Sequence, residues 1–415
     1  MKIKAQYGGE DLGAAEGLLV AVAQLLDPLK EGEALELVSS HPSVADDLRA
    51  WSRRWGHRCS QVTHERGTTK LVIERGFVRR TLADPPEWGV RMQRRDGGLD
   101  MRDWRVGRNA EIDDQAPATG VFAPRGAVME EGVPPIEFSI RRRTDIWADS
   151  VSELYQQATA NQWQAARDIP WDELRPLDES VEKSVCQIMT FLAENEYAAL
   201  YIPARFIGQI HPHFTEVALF LAIVMADEAR HIEVFTKRAL ANGGGLGIAS
   251  ASTQLSLASL LEPKDFSTAS FLLSVLGEGT FLDLLAFLEE YAPEPATREL
   301  CRRARLDESR HVHFGVSHSR YTLESDKGAA RRLGAAVEAR AEFLKAVSGV
   351  GALIEEALII YSGGGMTPSA LRVGTKRVAE LYSAMHNNRM KRLAAVGFET
   401  SAANHMSSLH TPNFM

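Results

Sequence analysis

The feature of this sequence that most constrains its fold is a short pattern, Asp-Glu-x-Arg-His, that occurs twice. The first copy is residues 227–231 and the second, eighty residues later, is residues 307–311. Both copies lie in segments with the apolar spacing of a helix. Residues three apart lie on one face of a helix, so the Glu and the His of each copy can point towards the same object. The sequence therefore predicts two helices that each present a carboxylate and an imidazole.

Each copy follows a segment that carries another Glu among apolar residues. Before the second copy this residue is Glu278, and before the first copy both Glu194 and Glu196 are candidates. When the two halves are aligned, an aromatic residue follows the first Glu by three positions, Tyr197 in one half and Phe281 in the other. The alignment favours Glu194 as the inward-facing residue. The repeat itself indicates a duplication with pseudo-twofold symmetry.

Carboxylates inside an apolar bundle are costly unless they are paired or bind a metal. Two Glu-x-x-His helices and two helices with one Glu each form the ligand pattern of a dinuclear site in a helix bundle. The six predicted metal ligands are Glu194, Glu228, His231, Glu278, Glu308 and His311. Carboxylates and imidazoles suit iron or manganese, so the predicted cofactor is two Fe or an Mn/Fe pair. The four Glu residues are also the predicted catalytic groups.

The other charged residues of the repeated pattern predict the surroundings of the metals. A metal-bound His normally donates its second N–H group to a carboxylate. We expect Asp227 and Asp307 to serve this purpose, each for the His of the other half of the repeat. Arg230 and Arg310 are expected to pair with carboxylates at the outer edge of the site.

A substrate is expected between the helices, about one turn from the ligands. The residues at that spacing are Tyr197, Met225 and Phe281. Gly277 and Gly279 flank Glu278, and each glycine costs about 1 kcal/mol inside a helix. They predict either room for a ligand or a distortion of the helix at this point.

The fold class that the sequence predicts is multidomain, with a small α+β unit followed by an α-helical bundle. Residues 1–76 show strand and helix signals in the order βαβαββ, which is typical of a two-layer domain. Residues 77–148 are rich in Pro and Gly and are expected to form an irregular connector with a short hairpin. Residues 149–400 show the periodicity of long helices, and residues 401–415 are expected to form a C-terminal tail.

Composition excludes several other classes of protein. A net charge of −8 argues against nucleic acid as a partner. The longest apolar run, residues 217–226, is too short to cross a membrane. The three cysteines are Cys59, Cys186 and Cys301. They are too far apart in sequence to suggest a zinc site or a disulfide framework, so we expect a cytoplasmic protein.

Residues 150–400 resemble the ferritin-like di-iron carboxylate proteins, in particular the oxygen-activating branch that includes the ribonucleotide reductase small subunit. The two Asp-Glu-x-Arg-His copies, Glu194 and Glu278 carry the resemblance. It implies a non-haem oxygenase or oxidase that activates O₂, oxidises a small molecule, takes electrons from an external reductase and forms a homodimer. Trp163 matches the position of a Trp that can relay electrons in the reductase, but here we expect plain packing for it, with an electron relay as the alternative. Phe235 stands where that family stores a tyrosyl radical, which excludes such a radical at this position.

Residues 1–76 resemble the TusA-like sulfur-carrier family, through residues 31–38, Pro42, residues 46–48 and residues 55–58. The family places a reactive Cys near the start of its first helix, and here that position is near Ala15. Because a thiolate performs the sulfur transfer, this domain is not expected to carry sulfur. A docking or regulatory role is the prediction that follows.

Three other functions remain compatible with the sequence. The protein could be a ferritin-like protein that binds or oxidises iron without acting on an organic substrate. It could be a subunit that generates a radical for a partner enzyme. It could also be a sulfur-trafficking adaptor, which only the N-terminal resemblance supports.

Overall fold

The computed structural model describes residues 2–78, 92, 98–129, 133–345 and 352–409. The chain forms two compact units. One consists of Met1–Leu99, Asp103–Glu111 and Ala123–Pro135, and the other of Asp100–Arg102, Ile112–Phe122 and Ile136–Met415. The residues that the sequence predicts as a connector are therefore shared between the two units.

The first unit contains the predicted βαβαββ order. Its elements are β1 (Lys2–Glu10), α1 (Leu18–Leu26), β2 (Glu33–Ser39), α2 (Val44–Arg54), β3 (Arg58–Glu65) and β4 (Thr68–Glu74). The sheet order is β1-β2-β4-β3, with β1 parallel to β2 and the other pairs antiparallel. Arg66 and Gly67 join β3 to β4 with φ angles of 51° and 78°. A two-residue hairpin with positive φ at both positions matches the twist of the strands.

The second unit is an α-helical bundle, which confirms the predicted fold class. Its helices are α3 (Val151–Ala160), α4 (Glu179–Ile207), α5 (Thr215–Ala241), α6 (Ala251–Leu260), α7 (Phe266–Glu290), α8 (Pro295–Ser325), α9 (Ala329–Lys345), α10 (Ala352–Gly363), α11 (Pro368–Val396) and α12 (Thr400–Leu409). Two short antiparallel strands, β5 (Thr119–Gly120) and β6 (Ile136–Glu137), lie within the residues predicted as a connector.

Four long helices, α4, α5, α7 and α8, build the part of the bundle that holds the candidate site. Helix α4 packs against α5, α7 against α8, and α5 against α8. Capping side chains define the start of two of these helices. The Asp265 side chain accepts a hydrogen bond from the Thr268 backbone at the start of α7. Glu294 does the same for Thr297 at the start of α8, where Pro295 is the first helical residue.

The remaining helices differ from the sequence prediction in length and number. The periodicity of residues 328–361 predicts one helix, whereas the structure has α9 and α10, with residues 346–351 outside the described residues. The segment between α5 and α7 contains α6, and residues 401–409 of the predicted C-terminal tail belong to helix α12. Helix α12 packs against α9 and α11, so tertiary contact stabilises a segment whose own periodicity is weak.

Helix α7 is the most apolar element of the bundle. Its length and mean hydropathy of 1.8 would allow it to cross a membrane, but 83% of its most apolar window is buried inside the protein. That burial is typical of a core helix. The segment Phe271–Glu278 adopts π-helical geometry, so the distortion predicted from the glycines beside Glu278 is present. Such π segments occur frequently at functional sites.

Candidate metal centre

Four carboxylates and two imidazoles meet inside the bundle. They are Glu196 on α4, Glu228 and His231 on α5, Glu278 on α7, and Glu308 and His311 on α8. Every one of these residues is at most 4% exposed. The ligand atoms form two groups, each with all its atoms within 4.8 Å of one another. The structure therefore places two adjacent sets of metal-binding side chains in the protein core.

Glu228 and Glu308 belong to both groups. One carboxylate oxygen of Glu228 lies 3.3 Å from Nδ1 of His231, and the other lies 3.0 Å from Nδ1 of His311. Glu308 repeats this arrangement, with distances of 3.2 Å and 3.3 Å to the same two nitrogen atoms. Each carboxylate thus spans the two sets. Glu196 completes the set of His231, and Glu278 completes the set of His311.

The polar atoms of this cluster fit a pair of metal ions. Both oxygens of Glu228, Glu278 and Glu308, and Nδ1 of both histidines, are buried and face one another without well-oriented hydrogen bonds to the described residues. Burying so many charged and polar atoms together would cost several kcal/mol. Coordination of a cation by each group would remove that cost. The described residues therefore can hold two metal ions.

The helices supply these ligands in the pattern of the ferritin-like di-iron and di-manganese carboxylate proteins. In those proteins two helices give one Glu each, and two give a Glu-x-x-His pair. The same division is present here, with Glu196 and Glu278 as the single residues. The ligand pattern confirms the resemblance that the sequence shows for the bundle. The TusA-like resemblance of the first unit stays a prediction.

The aspartates of the repeated pattern contact the histidines in a crossed manner. Asp307 lies 3.2 Å from Nε2 of His231, and Asp227 lies 3.3 Å from Nε2 of His311. This is the pairing between halves that the sequence predicts. Because each Asp accepts the Nε2 proton, Nδ1 is left free to face the carboxylate cluster.

Arg230 and Arg310 join the two aspartates into one charged network. Arg230 donates to Asp227 and, at 2.9 Å, to Asp307. Arg310 donates to Asp307 and lies 3.8 Å from Asp227. Two guanidinium groups thus balance two carboxylates behind the histidines. These two arginines do not balance the charge of the ligand carboxylates, which must be balanced within the ligand cluster.

The concentration of buried charge shifts the pKa values of several ligands. Burial, and then the charges of Glu228 and Glu308, raise the pKa of Glu196 well above its ordinary value, and the same causes raise the pKa of Glu278. Burial alone would lower the pKa of the two histidines, but the surrounding carboxylates reverse this and raise it. Because metal ligands must be deprotonated, these raised pKa values link metal binding to proton release.

The structure corrects the choice between Glu194 and Glu196. Glu194 is half-buried and accepts a 2.7 Å hydrogen bond from Gln254, outside the cluster. Residues two positions apart on a helix point in directions about 200° apart, so Glu194 and Glu196 cannot both face the metals. Tyr197 lies three residues after Glu194 and shares its side of α4, and it is 48% exposed. The error at Glu194 therefore also misplaced Tyr197, which does not contact the site.

A signal in the sequence could have found Glu196. Positions in phase with it at spacings of three and four residues include Val185, Met189, Leu192, Ala199 and Pro203, which are all buried. The positions in phase with Glu194 include Lys183, Gln187 and Tyr201. An apolar stripe marks the inward face of a helix more directly than an alignment between the halves of a distant repeat.

The surroundings of the two aspartates are not equivalent. Trp163 donates its indole N–H group to Asp307 at 2.7 Å and stacks on His231 with ring centroids 6.4 Å apart. Its neighbour Gln162 donates to Asp227 at 3.1 Å. Trp163 therefore contacts one residue from each copy of the pattern, beside the ligand set that contains His231. Phe235 is fully buried, with its ring 6.2 Å from that of His231.

A small apolar cavity adjoins the site on the side of Glu278 and His311. Its other lining residues are Ile202, Pro203, Phe220, Leu221, Val224, Phe266, Ser270, Leu273, Ser274 and Phe314. Tyr197, Met225 and Phe281, which the sequence predicts beside the substrate, do not line this cavity. Phe281 is buried against Phe191 instead. A role for these three residues beside a substrate stays a prediction.

Comparisons with known proteins give one kind of match. No protein-family model matches the chain, and no curated protein matches it. Among solved structures the chain is similar to R2-like ligand-binding oxidases. A mutant with an anaerobically reconstituted Mn/Fe cofactor is 16% identical, with a TM-score of 0.45 over 60% of this chain and 94% of the oxidase. Another mutant, with an aerobically reconstituted Mn/Fe cofactor, is also 16% identical, with a TM-score of 0.43 over 59% and 94%.

Proposed function

We propose that the protein is a non-haem dinuclear oxidase or oxygenase that uses O₂ to oxidise a small organic molecule. The observation that carries the proposal is the pair of buried ligand sets that share Glu228 and Glu308. Two separate mononuclear sites would not need shared carboxylates. The redox chemistry of O₂ reduction would be supplied by the bound metals, as two Fe or as an Mn/Fe pair.

The side chains of the protein have three tasks in this proposal. Glu196 and His231 would hold one metal, Glu278 and His311 would hold the other, and Glu228 and Glu308 would be available to both. Asp227 and Asp307 orient the two imidazoles by accepting their Nε2 protons. The apolar cavity keeps bulk water away from the face where the substrate reacts.

Electrons must reach the site from outside the chain, because the sequence contains no flavin, nicotinamide or iron–sulfur motif. We propose an external reductase as the donor. Trp163, Asp307 and His231 form a chain of contacts that leads towards one metal set, which supports a relay role for this Trp. A cytoplasmic location and a homodimer belong to the same proposal. So does a docking or regulatory role for the first unit.

Metal content and oxygen uptake test this function together. We expect anaerobic loading with Fe²⁺, or with Mn²⁺ and Fe²⁺, to give about two metal ions per chain after desalting. We then expect O₂ consumption at an oxygen electrode when a chemical reductant is supplied. Glu228→Ala removes a ligand common to both sets and should abolish stable loading, whereas Glu194→Ala should keep it.

Two results would contradict the proposal. One is wild-type protein that retains no iron or manganese under these conditions. The other is loaded protein that leaves the O₂ concentration unchanged with every reductant tried. An iron-storage role is distinguished by size, since a storage protein is expected to form a large cage during size-exclusion chromatography.

A further inference from the structure

The cavity beside the metal centre is too small for an organic substrate as it stands. Its volume is about 20 Å³. That is about the space of a single water molecule. Its walls are mainly aliphatic and aromatic, so it would accept an apolar group rather than a polar one. A substrate can therefore reach Glu278 and His311 only if a side chain in the wall moves.

A second and larger cavity lies behind one wall of the first. It has a volume of about 550 Å³, and we call it the vestibule. Its charged lining residues are Arg142, Asp145, Lys264, Asp265, Asp326 and Arg332. Arg142 pairs with Asp145, and Arg332 pairs with Asp326, each at 2.7 Å. The charges thus cancel largely within the vestibule itself, so it does not select for an anion or a cation.

Phe266 is the residue that lines both cavities. It is the first residue of α7, directly after the capping residue Asp265, and it is 4% exposed. Its ring lies against the rings of Phe206, Phe314 and His318, with centroids 5.6, 6.3 and 5.3 Å away. On the far side the vestibule offers space into which this ring can turn.

Other aromatic side chains of the small cavity lack such a space. Phe220 and Phe314 lie in the interiors of α5 and α8, are buried, and pack on each other with centroids 4.9 Å apart. Neither of them lines the vestibule. Moving either ring would disrupt close packing in the core, which costs several kcal/mol. Phe266 is therefore the aromatic residue of the wall that can move most easily.

We propose that Phe266 controls which molecules pass from the vestibule to the metal centre and limits their size. This proposal rests on the proposed oxidase function. The molecules admitted are uncharged and mainly apolar, because the vestibule has balanced charges and the inner cavity is apolar. The group that reaches Glu278 and His311 is then a hydrocarbon part of the substrate rather than a charged end.

The access route can be measured without any metal by following the reaction of a cysteine placed inside the small cavity. Ser270 lines this cavity and is buried, so Ser270→Cys, in a chain that also carries Cys59→Ser, places a thiol there. The probes are methyl and benzyl methanethiosulfonate, and mass spectrometry gives the rate of labelling. With Phe266 in place we expect slow reaction with the methyl reagent and slower reaction with the benzyl reagent.

Replacing Phe266 by Ala should raise the benzyl labelling rate by a factor on the order of ten or more, and the methyl rate by less. Phe271→Ala is the matched control. Phe271 lies on the same helix, is fully buried and packs on Phe398, but it lines neither cavity. Its replacement should leave both rates within about twofold of the reference. If the Ala variant of Phe266 does not fold, Phe266→Leu should show a smaller increase in the same direction.

The native cysteines report on the fold in the same experiment. Cys186 and Cys301 are buried away from both cavities, and their labelling should stay slow in every variant. Equal benzyl rates with and without Phe266 would overturn the proposal. So would a parallel rise at all three thiols, because that would mean a general loosening of the fold. Since the assay uses metal-free protein, its outcome is independent of whether the chain binds iron or consumes O₂.

Discussion

Replacing Glu196 by Gln should make the metal-free protein more stable and at the same time remove one metal site. Burial and the neighbouring charges of Glu228 and Glu308 raise the pKa of the Glu196 carboxyl in the folded protein. In the unfolded chain the same group is ionised above its ordinary pKa of 4.5. The folded state therefore binds this proton more tightly than the unfolded chain, and ionisation of the unfolded chain opposes folding as the pH rises.

The size of the effect follows from that difference. A raised pKa in the folded state means that stability falls as the pH rises above the unfolded value. The loss is about 1.36 kcal/mol for each pH unit between the unfolded value of 4.5 and the raised value of the folded state. A Gln side chain has the same shape and does not titrate. Metal-free Glu196→Gln should therefore gain stability, and the gain should be larger at pH 7 than at pH 5.

Urea unfolding of metal-free protein at the two pH values measures this gain. Metal analysis of loaded protein should then show about one ion per chain in place of about two, because Glu278, His311 and the shared carboxylates remain. Glu194→Gln is the matched control two residues away. It should change stability by less than about 0.5 kcal/mol and retain both ions. If Glu194→Gln lost metal while Glu196→Gln kept it, the assignment of helix α4 would be wrong.

Three further changes test other parts of the structure. Asp307→Asn should weaken metal affinity by about 10- to 100-fold, measured by competition with a chelator, because the crossed carboxylate orients an imidazole; an unchanged affinity would remove that role. Burial lowers the pKa of His318 to about 4 from 6.5. Wild-type protein should therefore lose about 2 kcal/mol between pH 7 and pH 5 from this group, a loss that His318→Asn should lack in urea titrations. At Gly315 a Cβ atom would lie 2.5 Å from that of Ser274. Gly315→Ala should lower the free energy of unfolding by about 1–3 kcal/mol, whereas Gly334→Ala, with open space around it, should not lower it.

Most of the metal centre could be predicted from the sequence because helical spacing is local information. Glu228 and His231 share a face of their helix because they are three residues apart. The second copy of the pattern repeats this geometry at Glu308 and His311. The crossed role of Asp227 follows from the chemistry of metal-bound imidazoles. None of these predictions required knowledge of how the helices are arranged in space.

The parts that could not be predicted depend on contacts between distant segments. The cavity is lined by Pro203 from α4, Val224 from α5 and Ser270 from α7, which meet only after the bundle has formed. The sequence also gave no reason to place Gln162 opposite Asp227. At Glu194 the information was available, since the apolar phase of α4 points to Glu196, but similarity between the two halves was given more weight.

The crossed contacts between aspartate and histidine have a consequence for the origin of the bundle. Neither half of the repeat could orient its own imidazole, because the carboxylate that does so belongs to the other half. Each metal set likewise takes one of its two shared carboxylates from the opposite half. A short ancestral chain with a single copy of the pattern could have built this site only by associating with an identical chain. Fusion of the two genes would then have made a permanent partner out of a transient one.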